Sequence, residues 1–368
     1  MNVGLFVGHP AHYHYLKNVA IGLKSKGHNV QFVAKQKDIL EDLLKHANVE
    51  YTLIRESRGD SKLALLNSVF QMERKMCQFI KDKKIDILVG STLTFAARVI
   101  KGIHVLETGE DDAAVVPRMA QIAYPFASSI LSPVSCDNGK WNKKSVLYPS
   151  YHELAYLHPN HFTADKNVVE KYFSADKPYF ILRFAKLNAH HDDGIRGINT
   201  EVAQRLIDIL KPHGDIYITS ERELEPQFEQ YRIKINPLDM HHVMAFASLY
   251  IGDSQTMAAE AAVLGTPFIR FNDFVGRIGY LNELENDYQL GYGIKASEEG
   301  SVERLCDAVY ELANLTPQER TERYQTRRQK MLSEKIDYAK FLTWFIENYP
   351  ESKEESMKGG YEFWERFR

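Results

Sequence analysis

Cysteine is scarce in this 368-residue chain. The three present, Cys77, Cys136 and Cys306, are far apart and form no CxxC pair. A disulfide framework and a zinc knot are thereby excluded, and a reducing compartment fits. An excess of one charge is lacking too. Lysine plus arginine number 46 against 49 aspartates and glutamates, a net −3, so no strong field attracts nucleic acid. No apolar run approaches the length of a membrane span. The longest candidate, 122–134, is interrupted by Pro125, Pro133 and three serines. GxGxxG is missing, which argues against a nicotinamide or flavin site. Gly22 and Gly27 have P-loop spacing, but His28 stands where lysine is needed. There is no internal repeat and no low-complexity tract. Met1–Val7 is too short for the apolar core of a secretion signal and reads as a first strand. A cytoplasmic protein is expected. Basic clusters such as Lys81–Lys84 and Lys140–Lys144 leave open a peripheral contact at the inner face of a membrane, although a solvated surface accounts for them better.

What the chain does have is alternation. Val3–Val7, Asn29–Ala34, Tyr51–Ile54, Ile85–Val89 and His104–Glu107 read as strands. Between them Tyr15–Lys26, Asp38–His46, Ser61–Asp82 and Thr94–Lys101 read as helices. Strands alternating with helices predict a parallel sheet covered on both faces. The rhythm breaks over 151–176 and resumes with Tyr179–Phe184. It continues through helix Asn199–Leu210, strand Asp215–Thr219, helix Glu223–Tyr231, strand Ile233–Ile235 and helix Met240–Ala247. Helices Val302–Leu312, Pro317–Ser333 and Asp337–Tyr349 close the chain, with a polar tail after them. The expected domains are therefore 1–150 and 177–334, with 151–176 between them and 335–368 as a terminal helical segment.

The most informative stretch is Ile251–Pro267. A strand ends at Gly252, which permits a sharp exit. Asp253 and Ser254 are both good N-caps. Thr256–Leu264 is rich in alanine, ends on leucine and should be helical. Gly265 and Pro267 end it, and Phe268–Phe271 restarts a strand. The turn Asp253, Ser254, Gln255, Thr256 thus aims free helix N–H groups and two hydroxyls at the carboxyl edge of a sheet, a ready anion site. Glu260 follows Thr256 by one helical turn on the same face. A carboxylate there opposes phosphate but can accept two hydroxyl hydrogens. Phosphate donors beside a diol acceptor suit a nucleoside diphosphate, with the ribose on Glu260. The alternative is an ordinary βαβ unit with Glu260 solvated.

This segment resembles the nucleotide-sugar signature of the GT-B superfamily. It is close to the form in UDP-N-acetylglucosamine 2-epimerases and related glycosyltransferases, with Glu260 and Leu264-Gly265-Thr266-Pro267 in the matching places. Tyr151–Pro159 and Arg183–His191 also resemble an archaeal and bacterial family whose reaction is not established. The resemblance covers nearly the whole chain. It implies a GT-B-like α/β fold, two Rossmann-like domains with parallel sheets facing a central cleft, and a last helix returning to the first domain. It places Arg183, Lys186 and His190 (or His191) on the donor diphosphate, and Ser220 in a turn, Thr219–Arg222, that faces the base. His241 and His242 fall where base contacts occur, or cap a helix.

Candidate catalytic groups cluster in the first half. Gly8–His14 carries three histidines between the first strand and helix. His12 or His14 could act as a general base near neutral pH, or cap or pack. Glu107 matches a proton-moving glutamate of the 2-epimerases, whereas Ser91 stands where their aspartate belongs. Glu110, Asp111 and Asp112 could deprotonate an acceptor or simply be solvated. They are not a strict Asp-x-Asp, so no metal site is expected, and no cofactor beyond the nucleotide sugar as substrate. The leading expectation is a glycosyltransferase using a UDP-sugar and a carbohydrate or lipid-linked acceptor in surface glycan or polysaccharide synthesis. The departure at Ser91 weighs against a UDP-sugar 2-epimerase or hydrolase. A non-catalytic nucleotide-sugar-binding protein is the third alternative.

Overall fold

The computed structural model describes residues 1–54, 62–90, 103–174, 176–185 and 196–368. The chain divides into two compact units, Met1–His161 with Lys335–Arg368, and Phe162–Glu334. Residues 151–176, expected as a connection, are shared between them.

The first unit is built on a seven-stranded sheet in the order β3-β2-β1-β4-β5-β6-β7, parallel throughout. Its strands are β1 (Asn2–Val7), β2 (Asn29–Lys35), β3 (Tyr51–Ile54), β4 (Ile87–Val89), β5 (His104–Thr108), β6 (Ser129–Pro133) and β7 (Ser145–Tyr148). Helices α1 (Pro10–Ser25), α2 (Asp38–His46), α3 (Lys62–Asp82) and α4 (Pro117–Ala123) connect them. β1 is buried from Val3 to Val7, as a central parallel strand should be. Phe6, Val33, Met76, Phe79 and Leu88 form a core between α3 and the sheet. β6 was not foreseen, because serine and proline mask it, yet all five of its residues are buried.

α1 starts five residues before the expected Tyr15. Pro10 occupies its first turn, where a missing N–H costs nothing, and His9 Nδ1 accepts the Ala11 N–H at 3.3 Å as the cap. The three histidines are therefore not in one loop. His9 caps the helix, and His12 and His14 lie inside it.

The second unit has a five-stranded parallel sheet in the order β12-β11-β10-β8-β9. In chain order its elements are α5 (Lys166–Val169), β8 (Tyr179–Phe184), α6 (Thr200–Leu210), β9 (Asp215–Ser220), α7 (Met240–Ala245), β10 (Leu249–Gly252), α8 (Gln255–Leu264) and β11 (Phe268–Phe271). Then come α9 (Gly279–Asn282), β12 (Gly291–Ile294), α10 (Ser301–Ala313) and α11 (Pro317–Glu334). Expected strand Ile233–Ile235 does not form: a single bridge joins Ile218 to Arg232. The expected helix Glu223–Tyr231 is a 3-10 turn over Pro226–Tyr231. Leu182, Phe184, Leu206, Ile218, Ile251 and Leu305 belong to the core.

The chain then returns to the first unit. α12 (Tyr338–Glu347) packs on α1, and the polar tail contains two further helices, α13 (Glu351–Lys358) and α14 (Tyr361–Glu365). Asp337 caps α12 by accepting the Lys340 N–H at 3.0 Å and meets His161 Nε2 at 2.8 Å. Among the described residues no helix is long and apolar enough to cross a membrane.

Candidate functional site

In the second unit the last sheet row aligns Gly252 with Arg183 and Arg270, and Arg183 with Thr219. A Cβ at Gly252 would lie 2.5 Å from Tyr250 Oη and 2.9 Å from Arg183 Cβ. Glycine is required there because the row is already filled. Beyond it, Ser254 caps α8 by accepting the Met257 N–H at 3.4 Å, and Gly265 ends the helix in the left-handed region at φ 78°. Residues Ser254–Met257 remain half-buried while Ala258–Leu264 are buried. The N–H groups of Gln255 and Thr256 make no hydrogen bond among the described residues, so the helix presents donors and a partial positive charge at the sheet edge.

Around this end the polar groups are arranged unequally. Arg183 Nη2 meets Glu221 Oε1 at 2.5 Å. Arg183 Nε, Thr219 Oγ1 and Tyr250 Oη are buried with no hydrogen-bond partner among the described residues. Burial raises the Tyr250 hydroxyl well above its ordinary pKa. Arg183 opposes that shift, and Asp253, Glu260 and Glu221 reinforce it. Asp253 does not act as the cap. It is buried, accepts the Ala185 N–H at 2.6 Å, and desolvation lifts its carboxyl to about 6. Asn272, absent from the sequence-based candidates, donates to Asp253 O at 2.9 Å and to Gln255 Oε1 at 3.3 Å. Ser220 Oγ closes its own turn, 2.8 Å from Arg222 O.

Glu260 is not solvated. Its side chain is 6% exposed, and Oε1 lies 2.9 Å from His241 Nε2, itself 6% exposed. His242 does something different: its Nδ1 accepts the Asp165 N–H at 3.0 Å. Lys186, His190 and His191, like Ser91 in the first unit, lie outside the described residues.

The first unit assembles a separate polar cluster at the carboxyl end of β5. Tyr15 Oη and Thr108 Oγ1 are 2.8 Å apart. Glu110 accepts the His152 N–H, and His152 Nδ1 lies 3.2 Å from Glu110 Oε2. The His152 ring stacks on Tyr15, centroids 4.2 Å apart, and on Tyr338 at 5.1 Å, while Tyr15 and Tyr338 are themselves 6.4 Å apart. Burial, then Glu153, pushes the Glu110 carboxyl well above its usual range, and burial with His12 nearby pushes His152 well down. His12 accepts the Gly8 N–H at 3.3 Å, and burial beside His9 and Lys37 lowers it to about 3. His14 points elsewhere. It is buried and stacks on Tyr156 at 5.3 Å. Glu107 is completely enclosed. Asp112 is used locally, accepting the Asp137 N–H at 2.9 Å. His152 was missed as a site residue because nothing in its local sequence links it to Glu110, 42 positions earlier.

Residues 1–274 match the model of a family described as "Protein of unknown function (DUF354)". The chain belongs to that family. No curated protein matches it. Solved structures do. S. aureus MnaA, determined with UDP, superposes with TM-score 0.65 at 14% identity, over 95% of this chain and 97% of that one. UDP-GlcNAc 2-epimerase from Neisseria meningitidis, bound to UDP-GlcNAc, gives 0.57 at 13%, over 91% and 99%. The spinosyn rhamnosyltransferase SpnG, complexed with spinosyn aglycone, gives 0.59 at 14%, over 94% and 100%. The fold is the α/β GT-B type shared by epimerases and glycosyltransferases.

Proposed function

We propose that the protein is a metal-independent glycosyltransferase that moves a sugar from a UDP-linked donor to a carbohydrate or lipid-linked acceptor in surface glycan synthesis. One observation carries this: the N-terminus of α8 opens beside Arg183 at the end of β8 and β10, with Glu260 one turn further on. The Gln255 and Thr256 N–H groups, the Ser254 hydroxyl and Arg183 would stabilise the departing diphosphate electrostatically. Ribose hydroxyls would meet Glu260. Lys186 and His190 remain donor candidates on sequence grounds.

The acceptor hydroxyl needs a base. Of the four first-unit candidates, His14 and Glu107 are packed away, and His12, at about 3, is a weak base. Glu110 is the better candidate, because a raised carboxyl accepts a proton more readily at neutral pH. UDP-sugar 2-epimerisation is the second reading, supported by the likeness in fold to UDP-GlcNAc 2-epimerases.

Thermal unfolding with UDP, GDP, CDP and dTDP tests the donor site. A nucleotide at a hundred times its Kd adds about 2.7 kcal/mol, and UDP should shift melting most. No shift with any nucleotide at millimolar concentration would remove the proposal. Glu260→Ala should weaken UDP binding by about 2–3 kcal/mol, read by calorimetry. Because Glu260 is buried against His241, the same change should also lower the melting temperature. Transfer activity should survive EDTA; its loss and recovery with magnesium would contradict metal independence. Incubation of UDP-GlcNAc without acceptor, followed by NMR, separates epimerisation from transfer.

A further inference from the structure

We infer that His241 is the positioning residue for Glu260, and that the pair sets a preference for ribonucleotides over 2′-deoxyribonucleotides. This rests on the reading of Glu260 as the acceptor of ribose hydroxyls. A glutamate side chain has three rotatable bonds, and holding it in one geometry has an entropic cost that a ligand must otherwise meet. Here the protein meets it beforehand. His241 donates its Nε2–H to Glu260 Oε1 at 2.9 Å, with both side chains almost fully enclosed. A carboxylate has about four lone-pair positions, and the bond from His241 fixes the orientation of all of them.

One ring packs on the imidazole, and two further bonds hold the segment that bears it. Phe162 packs edge-on against it, centroids 6.3 Å apart at 83°. The neighbouring His242 holds the segment that begins α5 through the Asp165 N–H. Thr266 Oγ1, just past the end of α8, donates to Met244 O in α7 at 2.9 Å. The helix bearing His241 and the helix bearing Glu260 are thus bound to one another at a second point. A 2′-hydroxyl arriving at Glu260 finds an acceptor already oriented. A 2′-deoxyribose offers that acceptor only its 3′-hydroxyl and gains less from the orientation.

Calorimetric titration of the full chain with UDP and with 2′-deoxy-UDP tests the inference. Wild type should bind UDP about tenfold more tightly, the discrimination expected of one hydrogen bond to a charged acceptor. His241→Ala should lose most of that preference, because UDP binding weakens by a larger factor than 2′-deoxy-UDP binding. His241→Gln, which keeps an N–H donor, should retain most of the preference. Should His241→Ala not fold, His241→Met, which drops the donor and keeps the bulk, replaces it. A preference unchanged without the donor overturns the role of His241 alone. Equal binding of both nucleotides by wild type, or binding of neither, overturns the Glu260 reading and the inference with it. A loss of affinity equal for both nucleotides in His241→Ala marks a purely structural histidine and also overturns it.

Discussion

The two units place polar groups at their sheet edges in opposite ways. The second uses backbone and small residues, contiguous in sequence: Gly252 for the exit, Ser254 for the cap, alanines behind, Gly265 for the stop. The first uses large side chains from separate segments, Tyr15, Thr108, Glu110, His152 and Tyr338, stacked and hydrogen-bonded over one another. A site made of helix-end N–H groups needs little beyond correct local structure, since the donors belong to every helix N-terminus. A site made of stacked rings and a histidine–carboxylate pair depends on packing, so its stability and its chemistry cannot be separated.

The largest expected effect breaks that packing. His152→Ala removes a ring stacked on Tyr15 and Tyr338 and takes the imidazole away from Glu110. It should cost about 3 kcal/mol of stability, as large-to-small core changes do, measured by urea unfolding, with UDP affinity unchanged. A variant as stable as wild type would show that the first cluster is not packing-dependent.

The second unit depends on fit at Gly252 as well. Gly252→Ala should destabilise by about 2 kcal/mol, the middle of the range for overpacking, because the added methyl meets Tyr250 Oη and Arg183. Adding Tyr250→Phe should recover part of the loss by removing the nearest atom. Absence of any recovery would assign the strain to Arg183 alone.

Titration sharpens the contrast further. The His12 pKa falls from 6.5 unfolded to about 3 folded. A depressed group contributes stability that is complete above the unfolded value and lost as pH falls through the folded one. Wild type should therefore lose stability relative to His12→Gln as pH drops from 6.5 to 5, by about 1–2 kcal/mol after allowance for solvent screening. Parallel melting curves across that window would mean His12 is not held neutral by burial.

The smallest effect concerns Arg183, whose fork is already engaged by Glu221. If a diphosphate must share that guanidinium, Glu221→Gln should tighten UDP binding by less than about 1 kcal/mol, the scale of a partly exposed ion pair. Weaker binding would instead make Glu221 the residue that orients Arg183.

Much of the second site was legible. Glycine and serine at turn positions, an alanine-rich helix and a Gly-x-Pro stop specify local geometry through backbone preferences that require no partner. The elements that escaped notice have the opposite character. β6 is serine- and proline-rich and becomes a strand because neighbours bury it, with Ser129 Oγ 3.1 Å from Tyr349 Oη. α13 and α14 lie in a segment too polar to announce a core face, and Ser352 is buried there all the same. The early start of α1 is hidden because proline reads as a loop residue, whereas Pro10 suits a first-turn position.

Chain order alone therefore determined the alternation of strand and helix, the Gly252–Ser254 turn and the aligned spacing of Thr256 and Glu260, since each depends on contacts within a few residues. Only the tertiary structure decided that Asp253 turns inward, that Glu260 pairs with His241, that His12 and His14 part company, and that His152 meets Glu110. Those outcomes depend on which distant segment fills the space beside a side chain. A buried charge must find a partner wherever the fold puts one, and that partner carries no mark in the local sequence.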